Sequence, residues 1–228
     1  MPEVVRRPRP LLLGHRGARA RKEIPENTLA SFDQALDDGC DGFEFDVRLT
    51  ADGVAVVCHD PQFGKIEIAG ASGKRLSGLA QLNEVLSRYQ DRAFLDIELK
   101  VAGIEERVVE SSRSFPPQRG FVVSSFLPEV LRDVHRKDSS LPLGLICETR
   151  AELKRWDRLP VSFVIPHSGL VDPALIGRLK NSRKKILVWT VNDPAEMVRF
   201  RDLGVDGIIS DDTSLLCRII GPEWPHGD

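Results

Sequence analysis

The chain has 228 residues, a length that suits one large domain or two small ones. Hydrophobic residues make up 41% and charged residues 29%, which is an ordinary balance for a globular protein. The 32 basic and 34 acidic side chains give a formal charge of −2, which argues against binding to nucleic acid, since such proteins usually carry a basic excess. No apolar run approaches the roughly 20 residues of a membrane span, and the four cysteines lack zinc-site spacing. We therefore expect a cytoplasmic protein without stable membrane insertion, with a short N-terminal tail over residues 1–10.

Short apolar runs typical of β-strands alternate along the chain with segments of helical periodicity. The strands are predicted at 11–14, 41–49, 93–99, 120–124, 142–147, 161–166, 185–191 and 207–210. The helices that follow them are predicted at 28–38, 79–89, 104–114, 127–136, 151–157, 173–180, 194–203 and 213–219. One extra strand, at 54–58, returns beside the second strand as a hairpin.

This alternation predicts a parallel sheet with right-handed crossovers. Eight βα units favour a closed barrel, and no GxGxxG follows the first strand to indicate a dinucleotide site. The predicted fold is α/β, a (β/α)₈ TIM barrel that forms a single domain over residues 11–220. A short insert follows its second strand, with residues 61–78 predicted as a loop.

Carboxylates lie near the carboxyl ends of the second and third strands, where active sites of this fold are found. Glu44 and Asp46 are two residues apart and so share one face of the second strand. Two buried carboxylates side by side need a compensating partner, and a cation is the simplest one. The third strand adds Glu98 and Lys100 on one face. All-oxygen ligation favours a hard divalent cation such as Mg²⁺ or Ca²⁺ over zinc.

Histidines and basic residues complete the set. The first strand ends in His15 and Arg16, and the hairpin after the second strand ends in His59. Two histidines suit acid–base catalysis near neutral pH, whereas Arg16 and Lys100 suit an anionic substrate such as a phosphate. These residue types together indicate metal-assisted cleavage of a phosphoester.

Six segments carry a family resemblance that spans nearly the whole chain. In order they read HRGARARKEIPENTLASF, GFEFDVRLTADGVAVVCHD, LDIELK, VVSSF, VWTVND and GVDGIISDD. Together they resemble the glycerophosphodiester phosphodiesterase family; the combination is highly specific, although each piece alone is weak. The resemblance implies a barrel enzyme that hydrolyses a small-molecule glycerophosphodiester to glycerol 3-phosphate and an alcohol.

The resemblance also implies a mechanism. In the mechanism usually proposed for the family, a glycerol hydroxyl attacks phosphorus to form a cyclic phosphate, which water then opens. The implied roles are acid–base catalysis by His15 and His59, divalent-metal ligation by Glu44, Asp46 and Glu98, and phosphate binding by Arg16 and Lys100.

Several other residues have open interpretations. Asp96 shares a face with Glu98 but lies one layer deeper, so we expect a buried hydrogen-bonding role. Glu148 suits the metal site, the substrate site or a solvated loop. Trp189 suits stacking on the glycerol, a pocket wall or the core, and His167 a structural role.

The loop after the first strand has simpler interpretations. Asn27 and Thr28 are expected to shape this loop and cap its helix. The basic run 19–22 is expected to be solvated or to flank an anionic substrate.

Three alternative functions stay open. The family commonly has a longer insert after the HD dipeptide than residues 61–78 provide, and an open site would suit the larger substrates of a lysophospholipase D. A phospholipase-C-like lyase would stop at the cyclic phosphate, and a non-catalytic barrel would only bind a phosphodiester. The preferred alcohol and the oligomeric state are left open.

Overall fold

The structure, a computed structural model, describes residues 9–221. Residues 1–8 of the predicted N-terminal tail lie outside this range. Arg9, in the remainder of the tail, forms an ion pair of 2.6 Å with Asp41, so this part of the tail contacts the domain.

Eleven strands and eight α-helices make up the described part of the chain. The strands are β1 Leu11–Gly14, β2 Gly42–Leu49, β3 Ala55–Val57, β4 Gln62–Phe63, β5 Ile66–Glu67, β6 Phe94–Leu99, β7 Phe121–Ser125, β8 Leu143–Cys147, β9 Phe163–Pro166, β10 Lys185–Val188 and β11 Gly207–Ser210. The helices are α1 Leu29–Asp37, α2 Leu82–Tyr89, α3 Glu105–Ser114, α4 Pro128–Lys137, α5 Arg150–Leu153, α6 Pro173–Asn181, α7 Pro194–Leu203 and α8 Thr213–Ile220. Short 3₁₀ helices lie at Gly73–Leu76, Trp156–Arg158 and Ser168–Leu170.

Eight parallel strands close into a barrel. Their order is β1-β11-β10-β9-β8-β7-β6-β2, and β2 pairs again with β1 through Leu13 and Gly42. The extra strand β3 is not a member of this ring; it pairs antiparallel with the carboxyl end of β2, at Val47–Leu49. The predicted (β/α)₈ TIM barrel is therefore confirmed. Within residues 9–221, none of the helices has the length and apolar character that crossing a bilayer requires.

The alternation of side chains along β2 decides where its polar residues lie. Phe43 and Phe45 point outward and pack with Phe32 of α1 and Tyr89 of α2; the rings of Phe32 and Phe43 stack at 4.2 Å. The intervening residues of β2 therefore point into the barrel. Below them the barrel is filled by an apolar cluster, whose members include Leu13, Phe94, Val122, Phe163, Ile165, Leu187 and Ile209.

Three segments differ from the sequence predictions. The helix predicted at 151–157 is a single α-helical turn followed by a 3₁₀ turn, because Pro160 favours an extended conformation at Leu159 (φ −121°, ψ 147°). The helix predicted at 79–89 begins at Leu82, where Glu84 accepts a hydrogen bond from the Gln81 N–H.

The third segment is the insert at 61–78, which has more structure than the predicted loop. It forms the hairpin β4–β5 and a 3₁₀ turn. Its apolar residues Ile68, Ala71 and Leu76 are buried together with Val56 of β3. They are too few and too irregularly spaced to produce a period in the sequence.

Candidate active site

Three carboxylates meet inside the carboxyl-terminal mouth of the barrel. The register of β2 and β6 sets Glu44 beside Asp96 and Asp46 beside Glu98. Glu44, Asp46 and Glu98 are buried, and one carboxylate oxygen of each lies within 4.8 Å of those of the other two.

Two cationic side chains and an amide lie against this acidic cluster. Lys100 Nζ is 3.2 Å from Asp46 Oδ1 and 2.6 Å from Glu98 Oε1, and Arg16 Nε is 3.3 Å from Asp46 Oδ2. The Asn27 side chain donates to Asp46 Oδ2 at 2.8 Å. The Lys100 contacts are close ion pairs without good hydrogen-bond geometry, so Asp46 Oδ1 and Glu98 Oε1 still lack an aligned donor within the described part of the chain.

The electrostatics of the cluster favour a further cation. Burial, followed by the charges of Asp46 and Glu98, raises the pKa of Glu44 well above its usual value. Burial and Asp46 raise the pKa of Glu98 to about 7. Burial also opposes ionisation of Asp46, but Lys100 and Arg16 outweigh it and lower the pKa of that carboxyl.

The donor set fits a divalent metal. Glu44 Oε2 accepts a hydrogen bond of 3.0 Å from the Arg16 backbone N–H, whereas its buried Oε1 has no donor among the described residues. Three buried carboxylates with an unpartnered oxygen are the ligands that a hard cation prefers. The acidic cluster can therefore bind a divalent metal.

His15 is held by an aspartate at the end of the neighbouring strand β11. Its Nδ1 lies 2.7 Å from Asp211 Oδ1, and its Nε2 faces the cluster, 3.9 Å from Glu44 Oε2. Asp211 Oδ2 accepts a hydrogen bond of 2.7 Å from Asn192. Burial opposes ionisation of Asp211, but hydrogen bonds from His15, Asn192 and Arg19 hold its pKa far below the usual value. The ionised Asp211 therefore fixes the His15 tautomer that carries its proton on Nδ1.

His59, which lines the same cavity, is held in a similar way. Its Nδ1 lies 2.8 Å from Asp60 Oδ1, and its backbone carbonyl accepts two hydrogen bonds from the Arg48 guanidinium. Burial lowers the pKa of His59, and the attraction of Asp60 and Asp46 offsets this only in part. The neutral imidazole therefore prevails at pH 7.

The loop between β1 and α1 has two non-glycine residues in the left-handed region. Arg16 has φ 53° and Asn27 has φ 58°, conformations that are uncommon for residues with a side chain. The Asn27 N–H donates to the Arg16 carbonyl at 3.0 Å, which ties the two together. This strained conformation turns the Arg16 N–H toward Glu44 and the Asn27 amide toward Asp46.

The remaining wall of the pocket is apolar and aromatic. A cavity of about 280 Å³ is bounded on this side by Phe126, Ile165 and Trp189. The Trp189 Nε1–H donates to the Ile165 carbonyl at 2.9 Å, and its ring meets that of Phe126 edge-on at 5.7 Å. Glu148 lies exposed on the rim of the same cavity, outside the acidic cluster.

Asp96 and His167 have local partners. Asp96 is 1% exposed and accepts a hydrogen bond of 2.6 Å from Ser124 Oγ, at the floor of the cavity. His167 accepts a hydrogen bond from the Gly169 N–H, and its ring lies edge-on to Trp189 at 5.5 Å.

The structure brings the predicted site residues together. Asp46 lies in the acidic cluster, and the others line one cavity: His15, Arg16, Glu44, His59, Glu98, Lys100 and Trp189.

Four polar residues contribute to this site although no catalytic, metal-binding or substrate-binding role was predicted for them: Glu26, Asn27, Asn192 and Asp211. Each lies in a segment that carries the family resemblance, and Asp211 directly follows β11. Its position at the carboxyl end of a barrel strand was the sequence feature that could have identified Asp211 as a site residue. Asn27 contacts Asp46, whereas Thr28 caps α1 as expected, accepting from the Ser31 N–H.

A model of the glycerophosphoryl diester phosphodiesterase family matches residues 15–79 and 81–215. This chain belongs to that family. The predicted family and enzyme class, a phosphoric diester hydrolase, are therefore confirmed.

Relatives and solved structures match most of the chain. A glycerophosphodiester phosphodiesterase of Caldanaerobacter subterraneus is 30% identical over 92% of this chain and 97% of its own. The crystal structure of a glycerophosphodiester phosphodiesterase from Thermotoga maritima matches with a TM-score of 0.79 and 25% identity, over 92% of this chain and 97% of that one. An Oleispira antarctica phosphodiesterase, in complex with the product sn-glycerol-3-phosphate, has a similar fold with a TM-score of 0.82 at 24% identity, over 94% and 98% of the two chains.

Proposed function

We propose that this protein is a metal-dependent glycerophosphodiester phosphodiesterase that releases glycerol 3-phosphate and an alcohol by two-histidine acid–base catalysis. One observation carries the proposal. A buried three-carboxylate cluster shares a cavity with His15 and His59, and each imidazole is held by an aspartate through Nδ1. That arrangement leaves Nε2 of both rings available for proton transfer.

The phosphate would be held between the acidic cluster and the histidines. Arg16 and Lys100 line this part of the cavity and carry the positive charge that a phosphodiester needs. Both now pair with Asp46, so the phosphate would share them with that carboxylate.

Glu44, Asp46 and Glu98 would hold the metal, and Mg²⁺ or Ca²⁺ fits their oxygen ligands best. When bound, such an ion supplies positive charge that stabilises the phosphate oxygens as negative charge develops.

The chemistry that the side chains supply is proton transfer on both sides of phosphorus. Neutral His59 can take a proton from the attacking glycerol hydroxyl at pH 7. His15 would act in its protonated form: the imidazolium gives its Nε2 proton to the departing alkoxide, and the ionised Asp211 stabilises that imidazolium through Nδ1. Opening of the cyclic phosphate by water would reverse the two roles. The aromatic wall formed by Phe126 and Trp189 would contact the organic part of the substrate.

A second candidate, lysophospholipase D activity on lipid-tailed phosphodiesters, is favoured by a separate observation. Phe63 of the β4–β5 hairpin is 42% exposed and lines a groove that also includes His59. An acyl chain leaving the site along this groove would cover Phe63.

The test is release of glycerol 3-phosphate from glycerophosphocholine, measured after metal removal with EDTA and after return of Mg²⁺, Ca²⁺ or Mn²⁺ separately. We expect activity only with metal present. Full turnover of the metal-free protein would refute the proposed metal dependence. A parallel assay with lysophosphatidylcholine tests the second candidate. Phe63→Ala should lower the rate of hydrolysis of lysophosphatidylcholine but not that of glycerophosphocholine.

A further inference from the structure

Arg19 contacts two acidic side chains, Glu26 and Asp211, which in turn contact predicted site residues. Its Nε is 2.6 Å from Glu26 Oε2, and its NH1 is 3.2 Å from Asp211 Oδ1. Glu26 Oε1 accepts from Arg16 at 2.7 Å, and Asp211 Oδ1 lies 2.7 Å from His15 Nδ1. The Arg19 guanidinium thus links the carboxylate that holds His15 to the carboxylate that holds Arg16.

Arg19 completes the set of contacts on both acids. Asp211 has its other oxygen bonded to Asn192, so the contact with Arg19 leaves this carboxylate little freedom to rotate. Among residues 9–221, the Glu26 carboxylate is held by the two arginines alone, one on each oxygen. A planar guanidinium presents donors in a fixed fork, which a lysine ammonium cannot reproduce.

We propose that Arg19 is a positioning residue that fixes His15 and Arg16 relative to each other through Asp211 and Glu26. The proposal rests on the proposed function, in which His15 transfers a proton and Arg16 binds phosphate. Small displacements of such groups cost large factors in rate, because proton transfer and phosphate binding must act on one substrate geometry.

The same loop offers a matched control. Arg21 is 39% exposed, close to the 38% of Arg19, but its guanidinium pairs with Asp38 at 2.9 Å, away from both acids. If Arg19 were only a solvated member of the basic run 19–22, substitution of Arg19 and of Arg21 would have similar effects on kcat and KM.

The experiment compares kcat and KM for glycerol 3-phosphate release in Arg19→Ala, Arg19→Lys and Arg21→Ala proteins, with metal present. We expect Arg19→Ala to lower kcat about tenfold and to raise KM, with only partial recovery in Arg19→Lys. Arg21→Ala should retain the wild-type kcat. Thermal denaturation of each variant checks that it folds, and Arg19→Lys keeps the test open should Arg19→Ala not fold.

A double-mutant cycle with His15→Ala makes the test specific. In that background the kcat effect of Arg19→Ala should shrink to less than twofold, because no imidazole remains to be positioned, while the KM effect through Arg16 should persist. An unchanged kcat in Arg19→Ala, an equal loss in Arg21→Ala, or the same kcat loss in both backgrounds overturns the proposal. A His15→Ala protein with full turnover would instead refute the proposed function.

A second, independent observation concerns two thiols at the opposite end of the barrel. Cys40, which precedes the amino end of β2, is buried, and Cys217 on α8 is half-buried. Their Sγ atoms are 3.6 Å apart, so an approach of about 1.5 Å would give disulfide bonding distance.

We infer that Cys40 and Cys217 form a reversible disulfide when a low-molecular-weight disulfide is present. The more accessible Cys217 thiolate attacks one sulfur of that disulfide, which forms a mixed disulfide and releases one thiolate. Cys40 then loses its proton to solvent and attacks Cys217 Sγ, which releases the second thiolate. The two protein thiols lose two electrons, and the small disulfide is reduced to two thiols.

The test treats native protein with oxidised glutathione, then unfolds and alkylates it for mass measurement. We expect the number of alkylated thiols to fall from four to two without added glutathione mass, and to return to four after dithiothreitol. A Cys40→Ser protein should instead retain a glutathione adduct on Cys217. Four alkylated thiols, or a lasting adduct on the wild-type protein, would overturn the inference.

Discussion

An Asp96→Asn substitution should flatten the pH dependence of stability of the metal-free protein. Asp96 lies 1% exposed at the floor of the cavity, with Oδ1 bonded to Ser124 and, among the residues that the structure describes, no donor for Oδ2. Burial, together with the charges of Glu98 and Asp46, raises the pKa of Asp96 to about 7. Asparagine has nearly the same shape and can still accept the Ser124 hydrogen bond, but it does not ionise.

The direction in which stability changes with pH follows from comparing the protonation of Asp96 in the folded and unfolded chains. Between about pH 4 and pH 7 the folded protein keeps a proton on Asp96 that the unfolded chain has already lost, so stability falls as pH rises through this window. A shift of about three pKa units corresponds to about 4 kcal/mol, of which about 3 kcal/mol is lost between pH 5 and pH 8. For a chain of this size that loss lowers Tm by about 6–12 °C.

The assay is urea and thermal denaturation of metal-free wild type and Asp96→Asn at pH 5 and pH 8. We expect the wild type to lose about 3 kcal/mol more than the variant between the two pH values. An Asp157→Asn protein is the control, because Asp157 is exposed and the same chemical change there should leave the pH dependence as it is. Equal pH dependence in wild type and Asp96→Asn would show that Asp96 does not keep its proton in the folded protein across this pH range.

The other predictions concern the metal cluster and the helix layer. Added Mg²⁺ or Ca²⁺ should raise Tm more at pH 8 than at pH 5, because the ligands must lose their protons, and Glu44→Gln should abolish the rise; a thermal shift unaffected by Glu44→Gln would contradict this. Phe32→Ala should cost about 3–5 kcal/mol in urea denaturation, because the ring is fully buried and stacked on Phe43 at 4.2 Å, and a loss below 1 kcal/mol would contradict the packing argument. Tyr89→Phe should cost about 1 kcal/mol, since its hydroxyl is 3.1 Å from Asp33 Oδ1, and an unchanged stability would show that this hydrogen bond contributes nothing.

The barrel and most of the site could be predicted because each depends on local pattern. The period of two in β2 set Glu44 and Asp46 on one face, and the same period in β6 did so for Glu98. Because carboxyl ends of parallel strands meet at one end of a barrel, strand-end residues such as His15 were expected to share the cavity.

The features that could not be predicted depend on contacts between residues that are far apart in the sequence. His15 and Asp211 are 196 positions apart, and no local spacing reports that their side chains meet. Asn27 was expected only to shape its loop, because its contact with Asp46 depends on the left-handed backbone of that loop. The structure of the insert at 61–78 depends on burial against β3, which a short irregular segment does not reveal by period.

Phosphorus NMR of metal-replete protein incubated with glycerophosphocholine distinguishes the candidate activities, because each reaction leaves a different phosphate species. We expect the diester signal to be replaced by that of glycerol 3-phosphate, and His15→Ala and His59→Ala to slow this conversion by about 10²–10⁴-fold. An unchanged diester signal, accumulation of a cyclic phosphate as the final product, or wild-type conversion by either variant would contradict this expectation.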